Sequence, residues 1–124
     1  MIIILDTNFL VTAIRHRIAD QIRGLGSRIA VPETVLKELG KPSLVLEAKK
    51  NAAAALILIE KWGVEILPTK IKNVDDSIIA VAEEMKRSGE EVYIATLYEE
   101  LKARIREKGL KTVGIKRMKI VEKD

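Results

Sequence analysis

The aliphatic run Ile2-Ile3-Ile4-Leu5, followed at once by Asp6, constrains the fold more than any other stretch of this chain. Four consecutive aliphatic residues suit a central parallel strand that is covered on both faces. The carboxylate that ends the run sits at the border of a core, where an unpartnered charge is costly. Asp6 therefore needs a compensating group: backbone N–H at the start of the next helix, a cationic side chain or a metal ion. Further strand-type stretches are Arg28–Val31, Val64–Leu67, Val92–Ala95, Val113–Ile115 and Met118–Val121, the last at a sheet edge because of its lysines. Between them run helical patterns. The first starts at Asn8, with Phe9, Leu10, Ala13 and Ile14 on one side, and Arg17–Leu25 continues it, closed by Gly24 and Gly26. Glu33–Leu39, Leu44–Trp62, Asp75–Arg87 and Tyr98–Lys108 follow. Strands alternating with helices over short connections, without internal repeat or linker, predict one α/β domain over residues 1–124 with a mainly parallel sheet.

Composition excludes several function classes. With 48% hydrophobic and 32% charged residues in 124, the chain can bury a core and is not a disordered tail. Its longest apolar run, Ala52–Ile59, is far short of the ~18–20 residues of a membrane span, and the opening strand lacks the basic flank of a signal peptide. The absence of cysteine removes disulfides, thiolate metal sites and cysteine nucleophiles. The single histidine, His16, stands between Arg15 and Arg17 and reads as a surface residue. Trp62, at the end of the long helix, reads as core or interface. No glycine-rich phosphate loop of either common spacing occurs. Abundant Lys, Glu, Arg and Ile fit the cytoplasm of a thermophile. Charge is uneven: residues 101–124 hold nine cationic and three anionic side chains, a net +6, which leaves −2 for residues 1–100 out of the total of +4. Such a distribution suits an acidic site beside a surface that attracts phosphate, or a basic helix face that is merely solvated.

In a doubly wound sheet, ligand chemistry gathers beyond the carboxyl ends of the strands. That makes Asp6, Glu38, Asp75 and Asp76 candidates by position. Each has a plainer reading. Asp6-Thr7-Asn8 is also a capping sequence for the helix that follows. Glu38 lies at the edge of the stripe formed by Val35, Leu36 and Leu39, as a surface glutamate would. Asn73 can cap the helix that Asp75 and Asp76 open, and acids there favour the positive helix end.

The order of these elements resembles the PIN-domain family of metal-dependent nucleases, over nearly the whole chain. Ile3-Ile4-Leu5-Asp6-Thr7-Asn8-Phe9-Leu10 looks like the family's first-strand motif with its first metal-binding aspartate. Val31-Pro32-Glu33-Thr34-Val35-Leu36-Lys37-Glu38-Leu39 looks like the segment of the second acid, and Val74-Asp75-Asp76-Ser77-Ile78-Ile79-Ala80 like that of the third, Asp76. Val92-Tyr93-Ile94-Ala95-Thr96 with Glu100-Leu101-Lys102 looks like the fourth. The double Asp and the basic ending look closest to archaeal PIN proteins similar to eukaryotic pre-ribosomal RNA-processing nucleases.

The resemblance implies a three-layer α/β/α fold with a mainly parallel central sheet, and a metal-dependent endoribonuclease. Asp6, Glu38 and Asp76 would be catalytic. With Asp75 and Glu99 they would hold Mg²⁺ or Mn²⁺, which would orient a water and stabilise charge on the attacked phosphate. Thr7, Asn8, Thr96, Lys102, Arg104 and Arg106 would hold the RNA. A homodimer through the alanine-rich long helix and ribosome-assembly factors are the further expected partners, with no membrane. One departure counts against this reading: Tyr98 stands where the fourth motif places an aspartate, and a phenol is a poor Mg²⁺ ligand. It motivates one alternative, a degenerate domain that binds RNA or protein without cutting; a toxin-type ribonuclease of the same fold is a further alternative.

Overall fold

The computed structural model describes residues 1–25, 28–41, 46–117 and 119–123. Strand β1 (Ile2–Leu5) is buried along its whole length, as its aliphatic run requires. It is followed by α1 (Thr7–Arg15), α2 (Asp20–Arg23), β2 (Arg28–Pro32), α3 (Glu33–Leu39) and α4 (Leu46–Lys61). Then come β3 (Glu65–Leu67), α5 (Val74–Arg87), β4 (Val92–Ala95), α6 (Glu99–Glu107), β5 (Lys111–Lys116) and β6 (Lys119–Lys123). The six strands form one sheet in the order β3-β2-β1-β4-β5-β6. All neighbours are parallel except β6, which returns antiparallel beside β5.

Alternation along the central strand builds the three layers. Ile3 and Leu5 point to one face, where they join Phe9, Leu10, Ile22, Val35 and Ile59 from α1 to α4. Ile2 and Ile4 point to the other, against Ile78 and Ala82 of α5 and Leu101 and Ile105 of α6. The result is an α/β/α sandwich whose sheet has no wet face at its centre. Three helices end just before a glycine with positive φ, Gly63 after α4 (φ 62°), Gly89 after α5 (φ 93°) and Gly109 after α6 (φ 69°).

Several boundaries differ from expectation for local reasons. The segment Arg17–Leu25 is helical only over Asp20–Arg23, because Arg17 itself is left-handed (φ 60°) and breaks the helix that precedes it. β2 runs through Pro32, which is its last residue and pairs with Leu67. A strand end is where a missing N–H does least harm. β5 is longer than expected because β6 continues its ladder. The expected closure at Gly26, the first two residues of the expected long helix, Leu44 and Val45, and the strand start at Met118 lie outside the described residues.

Register places β1 and β4 level with each other: Ile4 faces Ile94 and Leu5 faces Ala95. From β1 the chain passes to β2 on one side, whereas β4 lies on the other. A crevice opens at the carboxyl ends where connections part in this way. Among the described residues, no helix is long and apolar enough to cross a membrane. Phe9 is fully buried between α1 and the sheet. Phe9→Ala is expected to lower unfolding stability by about 3–5 kcal/mol in a denaturant titration.

Candidate functional site

Asp6 leaves β1 into the crevice and is 2% exposed. It serves as the N-cap of α1, and its Oδ1 accepts from Thr7 N at 2.8 Å. Its Oδ2 accepts from the Thr96 hydroxyl at 2.8 Å, and its own N–H donates to the Ala95 carbonyl at 2.9 Å. The compensation that the sequence demands thus comes from backbone N–H and a hydroxyl. Burial still dominates and pushes the carboxyl up to about 6. The two hydrogen bonds oppose that rise, and the charges of Asp75 and Glu38 add to it. Thr96 Oγ1 also accepts from Tyr98 N at 3.2 Å, which fixes the turn into α6.

A cleft of about 630 Å³ lies in front of Asp6, lined also by Glu38, Asn73, Asp75, Tyr98, Glu99 and Glu100. Glu38 reaches it from the exposed side of α3. A buried hydroxyl pair, Thr34 Oγ1 to Ser77 Oγ at 2.7 Å, locks α3 against the start of α5. Asn73 caps α5, accepting from Asp76 N at 2.9 Å, so the double Asp occupies the first helical turn. The two acids then part. Asp75 faces the cleft, and partial burial raises its pKa against the pull of Arg104. Asp76 turns away to α6, where Arg104 Nη2 meets its Oδ1 at 2.7 Å. Glu99 is largely exposed and pairs with Lys102 Nζ at 3.4 Å. The phenol of Tyr98 and the Asn8 amide are hydrogen-bonded to each other, joining the starts of α1 and α6.

Of the six residues expected to hold RNA, five are occupied or enclosed. Thr7 is buried, and its Oγ1 has no hydrogen-bond partner among the described residues. Thr96 serves Asp6, Asn8 serves Tyr98, Lys102 is buried beside Glu99, and Arg104 serves Asp76. Arg106 is exposed. Four of the nine cations of the basic ending are thus paired within the fold, since Lys108 also pairs with Glu83 and Lys111 with Glu91, each at 3.7 Å. Glu100 completes the acidic lining, and the sequence signal for it is an acid in the first turn of α6.

These residues do not fit a Mg²⁺ or Mn²⁺ ion. Among the described residues, no three His, Cys, Asp or Glu side chains gather into a group able to hold a metal. Asp6, Glu38, Asp75 and Glu99 share the cleft without converging, Asp76 is drawn out of it by Arg104, and Tyr98 stands in the fourth position. This overturns the expected metal centre and, with it, the metal-dependent endoribonuclease, whether of the RNA-processing or the toxin type.

A family model described as "PIN like domain" matches residues 3–118 of the chain. No curated protein matches it.

The raised Asp6 pKa has a consequence for stability. Between the unfolded value of 3.8 and the folded value of about 6, the native carboxyl holds its proton longer than the unfolded one. Stability therefore falls as pH rises through this window and stays lower above it, by up to about 3 kcal/mol. Asp6→Asn keeps the shape and removes the charge. Thermal melts are expected to show the variant matching the wild type near pH 4 and exceeding it by several degrees at pH 8.

Proposed function

The chain belongs to the PIN-like domain family, and we propose that within it this protein is a binding module that holds RNA without cutting it. The observation that carries this reading is the Arg104–Asp76 pair. A guanidinium bound to the third acid holds it out of the cleft in which a catalytic cation would need it. The Tyr98–Asn8 bond supports it from the other side of the crevice. A sequence pI of about 9.4 favours a polyanionic partner. The resemblance to archaeal relatives of pre-ribosomal RNA-processing proteins makes ribosomal RNA the expected partner class and the cytoplasm the expected place.

A protein-binding module is the second reading. It rests on Leu46 and Ile57, which are 65% and 64% exposed and lie three turns apart on one face of α4.

The test is incubation with an end-labelled single-stranded RNA, with and without millimolar Mn²⁺. The expected result is intact RNA in every lane and a bound fraction that falls steeply with salt. Mn²⁺-stimulated fragments that vanish in Asp6→Asn would refute the reading. Intact RNA that is never bound would transfer support to the protein-binding reading.

A further inference from the structure

A second groove, of about 320 Å³, adjoins the acidic cleft and shares Glu38 and Val74 with it. Its charge is opposite. Lys37 on α3 and Lys41 just past the end of that helix line one wall, and Lys70 and Lys72 line the other. All four are exposed, and among the described residues none has an ion-pair partner. They contrast with Lys102 and Arg104 of α6, which are occupied by Glu99 and Asp76.

The groove contains two carboxylates. Glu33 is held by the fold, because its Oε1 accepts from Thr69 N at 2.8 Å. Glu38 stands at the boundary with the cleft. Four lysines against two glutamates leave the groove at +2, next to a cleft lined by Asp6, Asp75, Glu99 and Glu100.

The wall that carries Lys70 and Lys72 is fixed at both ends. The Glu33–Thr69 bond ties it to α3, the Thr69 hydroxyl accepts from Ile71 N at 3.1 Å, and Asn73 anchors it to α5 as the helix cap. The lysines are therefore presented on ordered backbone, so less conformational entropy is lost when a ligand binds. Between them Ile71 is 39% exposed and offers an apolar contact of the kind a ribose or base face accepts.

We infer that this groove carries the RNA phosphate backbone, with Lys37, Lys41, Lys70 and Lys72 as its phosphate contacts. The path avoids the crevice, where unpaired carboxylates repel phosphate. The inference rests on the RNA-holding reading and adds a location to it.

The test measures binding of a fluorescein-labelled single-stranded oligoribonucleotide by anisotropy, as a function of salt. It compares wild type, Lys70→Ala/Lys72→Ala and Lys116→Ala/Lys119→Ala, the last pair lying on the β5–β6 hairpin. All four positions are exposed, and a melt of each variant checks the fold. Neutralising two phosphate contacts on a single strand is expected to flatten the slope of log K against log salt by about 1.4. The hairpin variant, with the same change in net charge, is expected to keep the wild-type slope. Equal losses in both variants, or none in the groove variant, would overturn the groove while leaving the RNA-holding reading intact. A wild type that binds no RNA would overturn both. Displacement of the RNA by polyglutamate at equal charge concentration would show an acidic-peptide site instead and overturn the inference.

Discussion

The Thr96 hydroxyl bonded to Asp6 ties together the two strands between which the crevice opens. A carboxylate 2% exposed at the end of the central strand is tolerable only because its oxygens are met within the fold. Each bond it makes also sets a direction. Thr7 N on one oxygen starts α1, and Thr96 on the other passes the alignment to Tyr98 and the start of α6. The relative placement of α1 and α6, and so the shape of the crevice, follows from one buried acid, one backbone N–H and one threonine hydroxyl. The cost of keeping that acid charged is visible in its raised pKa.

Electrostatics around the crevice follows a different rule on each side. On the α6 side the chain satisfies its own acids, Asp76 through Arg104 and Glu99 through Lys102. Individually such partly exposed pairs add little stability. Their effect lies in where they leave charge: Asp6, Glu38, Asp75 and Glu100 line the cleft, and Lys102 and Arg104 are engaged within the fold. On the α3 side Lys37, Lys41, Lys70 and Lys72 have no ion-pair partner among the described residues. An overall charge of +4 says nothing of this division, because it arises from contacts between segments remote in sequence.

The fold was legible because its signals are local. Four aliphatic residues announced β1, and glycines marked the helix ends at Gly63 and Gly109. The helix pattern before residue 25 misled because periodicity is blind to one left-handed residue, Arg17. The crevice was legible in part: Asp6, Glu38, Asp75 and Glu99 do line it. Asp76 was not, since its direction depends on Arg104, 28 residues away. A net +6 over residues 101–124 suggested a phosphate-holding end, yet Lys102 and Arg104 turned out to be internal partners. The lysines at 70 and 72 lay in what reads as an ordinary polar loop. Only the packing of α3 beside it gives them Lys37 and Lys41 as neighbours.

Tyr98 and Arg104 belong to one helix and its cap, yet they obstruct a cation in separate ways, one by withholding a carboxylate and the other by supplying a positive charge. An aspartate at 98 alone would leave the guanidinium in place. Loss of the guanidinium alone would free Asp76 and still leave the fourth position without a charged ligand. Each change leaves the other obstruction in place. The four matching positions Asp6, Glu38, Asp76 and Tyr98 are thus kept from a common centre by two residues of one helix and its cap.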